Sequence, residues 1–370
     1  MPPFRPFLLE RWFAAHEHAV RFQLGASDCE PLTLGELLGR CDVDPTALLA
    51  VRLGYTESNG DPTLRAAIAA HYDGCTARQV LVAGAPQEAI ALTFQALLAP
   101  GDRVVVQTPC YQSLLEVPRQ LGCDVVPWSL LHGQAFAFDL DALAELLRPP
   151  TRMVVTNAPH NPTGLHPDQD QWRRIAERIA RSGAIWFSDE MYRGLAPDDA
   201  RELPPAATLT PRAISLWGLS KSFGLPGLRL GWLVAQEPEW LQAIEAQKDF
   251  SSICSNAVAE FAATAALRCT DRFLRPNRAR IQANAAAVAA LADRCGDRVT
   301  WLPPQAGPVG LLRVRGEPAS AVAERLLPDA LAVPSRLFDL PDHWLRIGLG
   351  RRDLPDALPL LERALRAGPG

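Results

Sequence analysis

Residues 213–234 read AISLWGLSKSFGLPGLRLGWLV. The runs at 213–217 and 230–234 carry the β-branched, aromatic and leucine content of buried strands, and the serines and glycines between them form a loop. Lys221 stands just beyond the first strand, and open α/β sheets bind ligands outside the carboxyl ends of their strands. Flanked by small residues and backed by Trp217 and Phe223, this lysine is placed to lose its proton and act as a Schiff-base amine. Arg229 follows eight residues on as a phosphate ligand. A lone Ser-Lys would read as a solvated loop; the whole segment argues against that. Lys221 and Lys248 are the two lysines among 37 basic residues, so amine chemistry has two candidates.

The same grammar repeats upstream. A strand at 80–82 enters the turn GAPQ, and the helix after it places Ile90, Thr93, Phe94, Leu97 and Leu98 on one face before Pro100-Gly101 stops it. Strands follow at 103–107, 124–128, 153–156 and 184–187, with helices near 113–120 and around Trp172, Ile175, Ala176 and Ile179. Repeated strand–helix–strand units predict an α/β protein whose mainly parallel, doubly wound sheet is covered by helices. The last third differs, with a long Ala/Arg-rich helix over 272–294, short strands at 310–314 and 345–347, and a final helix over 354–367. That pattern predicts a smaller α+β domain. The expected division is a large domain over 46–255 and a small one from 1–45 plus 256–370, with a few unstructured residues at each end.

Composition narrows the function class. A net charge of -4 across 370 residues and a pI near 6.0 give no bulk attraction to nucleic acid or anionic membranes. No apolar run approaches the roughly 18 residues of a membrane helix, and MPPFRPFLLERWFAAHEHAV lacks the apolar core of a signal peptide. A soluble, cytoplasmic protein is expected. The eight cysteines (29, 41, 75, 110, 123, 254, 269 and 295) are scattered without metal-ligand spacing, which favours isolated thiols over zinc ligands or disulfides, and no metal is expected.

The lysine segment resembles that of the fold-type I pyridoxal-phosphate (PLP) enzymes, specifically the class I/II aminotransferase family. YTESNGDPTLR (55–65), NPTG (161–164), SDEMYRG (188–194) and LRIGLG (345–350) fit in the family's order, so the resemblance spans about residues 53–350. It implies a PLP-dependent transferase fold of type I, with a seven-stranded type of sheet in the large domain. It also implies that Lys221 carries the cofactor. Asp189 resembles the carboxylate that pairs with the pyridinium nitrogen, keeping the ring an electron sink. Tyr192 and Asn161 resemble the donors to the phenolate oxygen. Tyr111, in TPCYQSL (108–114), matches the aromatic that stacks on the ring. His160, beside NPTG, reads as a loop residue.

The phosphate end departs from the family. The turn Ala85-Pro86-Gln87 opens a helix, where free N–H groups and the helix dipole favour phosphate, but proline offers no N–H. Gly218 stands where a hydroxyl residue often contacts the phosphate, leaving Ser220, Gln87 and Arg229 to serve. Arg346 matches the arginine that holds a substrate α-carboxylate as a bidentate pair, with Asn161 beside it. Tyr55 matches a tyrosine reaching the neighbouring subunit's phosphate and SSICSN (251–256) an interface segment. A homodimer with shared sites is therefore expected.

The N-terminus departs most. LGASDCEP (24–31) replaces a glycine-containing loop, and its Ser27, Asp28 and Cys29 read either as contacts for a polar or cationic substrate side chain or as a capped surface loop. FLLERWFAAHEHAVRF (7–22) adds a fainter, overall similarity to enzymes of the capreomycidine synthase type, which cyclise a hydroxylated arginine. The resemblance implies a PLP-dependent aminotransferase of amino-acid metabolism, exchanging an L-amino acid and an oxo acid through a lysine Schiff base and a Cα carbanion. The alternative is elimination, replacement or cyclisation of a hydroxylated amino acid from the same carbanion. A PLP-binding regulatory module is disfavoured, because the enzyme-like region fills the chain and no basic patch accompanies it.

Overall fold

The computed structural model describes residues 5–133 and 135–368; the terminal residues expected to be unstructured, 1–4 and 369–370, lie outside these. Valine-rich and aromatic runs bounded by turns form the strands β1 (Val80–Ala83), β2 (Arg103–Thr108) and β3 (Asp124–Ser129), the hairpin β4 (Leu131–His132) and β5 (Ala135–Phe136), then β6 (Met153–Asn157), β7 (Ile185–Asp189), β8 (Ala213–Gly218) and β9 (Gly231–Ala235). Seven of them make one sheet in the order β1-β9-β8-β7-β6-β2-β3. The neighbours from β8 to β3 pair in parallel, and β9 runs antiparallel between β8 and β1. Asn157 pairs with Asp189, and Asp189 with Leu216. The loops after β6, β7 and β8 therefore leave the sheet side by side, which brings NPTG, SDEMYRG and the lysine loop to one place.

Side chains alternate across this sheet. Leu81, Val104, Val106, Phe187 and Leu216 meet Ile90, Phe94 and Ile244 of the helices Pro86–Leu97 and Pro238–Lys248 on one face. Val80, Val82, Trp217 and Trp232 meet Leu64, Ile68 and Ala262 on the other. Phe94 is fully buried and edge-on to Phe187 at 5.1 Å; truncating such a ring to alanine costs roughly 3–5 kcal/mol. Pro45, Pro62, Pro86 and Pro238 each open a helix, where the missing N–H costs nothing.

A second, antiparallel sheet joins β10 (Val299–Leu302), β11 (Val309–Val314), β12 (Val333–Pro334) and β13 (Trp344–Gly348) in the order β10-β11-β13-β12. The short β10 and β12 carry too few residues for a periodic signal in the sequence. The helix Ala257–Arg268 sits on the large sheet's side, since Ala259, Ala262, Ala263 and Ala266 pack with Trp217 and Trp232. The next helix, Asp271–Cys295, crosses over, with Phe273 in that cluster and Ile281 and Val288 packed with β11 and β13. Packing thus changes sides near residue 270, whereas the sequence suggested a division at 255. Leu37 and Leu38, from the segment assigned to the small domain, also pack on the large sheet's side.

The cysteines correct one expectation. Cys269 Sγ lies 2.8 Å from Cys41 Sγ, although 228 residues separate them, so these two thiols are not isolated. Sequence spacing cannot show a contact made by tertiary packing. Among the described residues, no group of three His, Cys, Asp or Glu is placed to hold a metal, and no helix is long and apolar enough to cross a membrane.

Candidate active site

Lys221 follows β8 by three residues, and its Nζ donates to Ser27 Oγ at 2.9 Å. Burial lowers the amine's proton affinity, Asp28 opposing the shift and Arg346 adding to it. The other lysine, Lys248, is fully buried, and its amine donates to the Ser58 carbonyl.

Asp189 closes β7, buried, with its carboxylate accepting the Met191 N–H at 3.1 Å. Burial pushes its carboxyl up to about 7, a cost that a cationic partner such as a pyridinium nitrogen would offset. Tyr192 is buried beside it; burial raises its phenol to about 12, and Ser27 hydrogen-bonds it. Ser27 thus touches both the lysine and the tyrosine.

Arg346, on β13, is completely buried. Its Nη1 donates to Asn161 Oδ1 at 2.9 Å, its Nη2 donates to the Gly25 carbonyl at 2.6 Å, and Nε has no partner within the protein. A guanidinium only donates, so the Asn161 oxygen must face it, which leaves the Asn161 amide free to donate elsewhere. Asn157 Oδ1 accepts the Asn161 N–H at 2.7 Å, and its Nδ2 donates to the Asp189 carbonyl at 2.9 Å. This residue, missed in the sequence, ties the loops after β6 and β7 together.

His160 is structural. Its Nε2 lies 2.7 Å from the Pro109 carbonyl and its Nδ1 2.7 Å from Thr163 Oγ1. A carbonyl only accepts, so Nε2 carries the proton, and burial pushes the imidazole down to about 4. Tyr111 donates its hydroxyl to Glu10 Oε1 at 2.8 Å. Glu10 was not singled out in the sequence; a carboxylate set, with Arg11, among the apolar Leu8, Leu9, Trp12 and Phe13 was the available signal.

The strap of residues 24–30 lies over the lysine loop. The Cys29 N–H donates to the Lys221 carbonyl at 3.1 Å, Glu30 N–H to Gly350 at 2.9 Å, and Gly348 N–H to Leu24 at 2.7 Å. A Cβ on Gly348 would fall 1.8 Å from the Ala26 carbonyl oxygen, and one on Gly350 2.1 Å from that of Asp28. The glycines of LRIGLG are thus what lets the strap approach. Asp28, read from sequence either as a substrate contact or as part of a capped loop, accepts Arg351 Nη2 at 2.9 and 3.1 Å.

At the phosphate end, Ala85 caps the helix Pro86–Leu97 without a side-chain bond, and Gln87 Oε1 is buried and unpartnered. A Cβ on Gly218 would lie 3.0 Å from Pro86 Cγ. The proline ring thus takes part of the space a side chain at 218 would need, and the Gly231 Cα and the Leu230 carbonyl oxygen, each at 3.1 Å, take the rest. Ser220 is buried, while Arg229 is exposed, its Nη1 donating to the Pro226 carbonyl at 2.9 Å. Tyr55 is 91% exposed and is not brought to Lys221 within the chain. Amine, buried carboxyl, phenol, amide, aromatic ring and open guanidinium make a donor set that fits PLP, with Gln87, Ser220 and Arg229 left for its phosphate.

Comparison with known proteins agrees. The family model "Aminotransferase class I and II" matches residues 49–356. Capreomycidine synthase of Streptomyces vinaceus is 32% identical over 99% of this chain and 92% of its own. The structure of the PLP-dependent cyclase OrfR is 33% identical, covers 99% of both chains and superposes with a TM-score of 0.91. A PLP-dependent aminotransferase from Streptococcus suis gives a TM-score of 0.93 at 26% identity over both complete chains. The chain therefore belongs to the class I and II aminotransferase family, as a PLP-dependent enzyme of fold type I.

Proposed function

We propose that the protein binds PLP on Lys221 and catalyses ring closure on the side chain of an L-amino acid, acting as a homodimer in the cytoplasm. The observation that carries this reading lies before residue 49, outside the family match. There Ser27 hydrogen-bonds Lys221, Glu10 hydrogen-bonds Tyr111, and the match to the relatives named as synthase and cyclase, at 99% of this chain, takes in this segment. Amino transfer, the reading favoured by the sequence alone, is the second. Lys221, Asp189, Asn161, Tyr192 and Arg346 would serve it equally, and the Streptococcus suis aminotransferase shares the fold throughout.

Bound PLP supplies an electron sink for the pair left at Cα when its proton departs. Asp189 would hold the ring nitrogen, Tyr192 and Asn161 the phenolate oxygen, Tyr111 the ring face, and Gln87, Ser220 and Arg229 the phosphate. Arg346 would take the substrate's α-carboxylate on its free edge. Lys221, its proton affinity lowered by burial, is the base that removes the Cα proton, and Ser27 orients its Nζ. In the cyclase reading a side-chain hydroxyl leaves as water and an internal nitrogen takes its place on that carbon. In the transferase reading the amino group would pass to PLP, water would supply the oxygen, and an oxo acid would leave.

The dimer rests on an apolar surface. Tyr55, Phe250 and Ile253 are 91%, 92% and 54% exposed. Thr56 Oγ1 donates to the Ser255 carbonyl and Ser58 Oγ to Asp249 Oδ1, each at 3.3 Å, joining these segments into one patch. A second copy would cover it and bring Tyr55 to the neighbour's phosphate; sedimentation giving a fully active monomer would refute this. The cytoplasm suits eight free cysteines.

The deciding experiment is a reaction with a hydroxylated amino acid and no oxo acid. A cyclase keeps turning over and returns to its starting absorption. A transferase stops after about one equivalent of oxo acid per site, with its cofactor left in the amine form.

A further inference from the structure

Glu10 has no part in the chemistry above, yet the protein is built to hold it in place. It lies on the helix Leu8–His16. The Leu8 N–H donates to Gln112 Oε1 at 2.9 Å, Gln112 Nε2 donates back to the Pro6 carbonyl at 2.9 Å, and Trp12 Nε1 donates to the Ala332 carbonyl at 3.1 Å. Phe7 packs on Tyr111 with ring centroids 4.9 Å apart. So anchored, Glu10 accepts the Tyr111 hydroxyl, its one recorded side-chain partner among the described residues. Its charge reaches both Lys221 and Arg346, raising the proton affinity of each.

The other carboxylates near Lys221 are committed. Asp28 is paired with Arg351, and Asp189 is the partner for the ring nitrogen. Around a substrate Cα, Arg346 claims the carboxylate, Lys221 takes the proton and the cofactor holds the amine. The fourth substituent, the side chain, is the one without an assigned receptor, and Glu10 is the uncommitted charge beside that place. We propose that Glu10 is the receptor for a cationic side-chain group of the substrate, a guanidinium or an ammonium, and that it rejects acidic amino acids by repulsion. This deepens the reading above and rests on Lys221 carrying PLP and on Arg346 binding the α-carboxylate.

The test uses the holoenzyme and α-methyl amino acids, which lack a Cα proton and so report binding alone. Their affinity is read from the change in the cofactor's visible absorption. The wild type is expected to bind α-methylarginine or α-methylornithine more tightly than α-methylleucine, and α-methylglutamate least; comparing the first two distinguishes guanidinium from ammonium. In Glu10→Gln, which keeps an acceptor for Tyr111, the advantage of the cationic compounds should fall about 30-fold or more. The α-methylleucine affinity should change far less than that of the cationic compounds, and Glu10→Asp should restore part of the preference. A normal cofactor absorption with no cationic preference, or an equal loss for every compound in Glu10→Gln, overturns the proposal and leaves the PLP reading standing. Failure of borohydride to fix PLP on Lys221 overturns both.

Discussion

The loop after β8 and the strap of residues 24–30 meet at Lys221, but different physics put each of them there. The loop is placed by the sheet. Once β6, β7 and β8 pair in register, their carboxyl ends lie together, and a short motif on each delivers Asn161, Asp189 and Lys221. The strap belongs to no sheet. It is held by backbone hydrogen bonds to Lys221, Leu331 and Gly350 and fits because Gly348 and Gly350 carry no side chain. Groups for the cofactor thus come from strand ends, while Ser27 and Glu10, on the substrate side, come from contacts across 194 and 101 residues of sequence.

The largest effect expected of that contrast is at Lys221. Lys221→Ala should lower turnover by on the order of 10⁴-fold, and borohydride should no longer fix PLP to the protein. Lys248→Ala should keep the label, because the Lys248 amine is turned to the Ser58 carbonyl. A label that moves to Lys248 would break the claim that strand-end position selects the catalytic amine.

This division explains what the sequence could disclose. The seven-stranded sheet, the long helix and the small sheet's β11 and β13 were legible because β-branched runs and helical periodicity are local signals. Asp189, Tyr192 and Asn161 were candidates because each sits in a motif at a strand end of the large sheet, and Arg346 because it sits in LRIGLG on β13. Glu10 was not, since its role exists only after a helix from the N-terminus folds over Tyr111. Nor does anything in LGASDCEP reveal that Arg351, 323 residues away, would pair with Asp28.

A second effect separates the buried strand-end carboxyl from its surroundings. Burial keeps Asp189 protonated in the folded protein up to about pH 7, against an unfolded value near 4. Between those values the folded state binds more protons than the unfolded chain. The residue's contribution to stability therefore falls as pH rises, by on the order of 4 kcal/mol in all, and levels off above about pH 7. In cofactor-free protein, the melting temperature of Asp189→Asn relative to wild type should rise from pH 4 to 7.5. His160 acts oppositely. Its imidazole, pushed down to about 4, stays neutral where the unfolded chain takes up a proton, so its contribution grows with pH up to about 6.5. Measuring the variant against wild type cancels that term. With PLP bound, the pyridinium partner should abolish the relative gain. A flat difference across pH in cofactor-free protein would show that Asp189 is not held in a protonated, buried state.

A smaller effect tests the strap. Gly348→Ala places a methyl 1.8 Å from the Ala26 carbonyl oxygen, which the strap can relieve only by moving, at a cost of roughly 1–3 kcal/mol. Hydrogen exchange should quicken in residues 24–30 while β6, β7 and β8 keep their protection. PLP should still label Lys221, but the amine, no longer held by Ser27, should lose turnover. Equal loosening of strap and strand ends would erase the distinction between them.

The smallest effect lies at Pro86 and Gly218, inside the motif region. A side chain at Gly218 would meet Pro86 Cγ at 3.0 Å and the Gly231 Cα at 3.1 Å. Only the first contact disappears when the proline ring is removed. Gly218→Ser in the wild-type background should therefore destabilise by about 1 kcal/mol or more, measured as a shift in denaturant midpoint. Pro86→Ala also restores a backbone N–H at the helix start, where a phosphate is favoured. Combined with it, Gly218→Ser should cost less, because the hydroxyl gains the space the ring filled. The two substitutions touch one contact, so their coupling should lie in the range of about 0.5–3 kcal/mol seen for neighbouring residues. The double variant should also bind PLP more tightly than wild type, having recovered two phosphate donors at once. Additive costs would instead mean that the backbone of Leu230 and Gly231 forbids a side chain at 218, and that the two departures from the family arose independently.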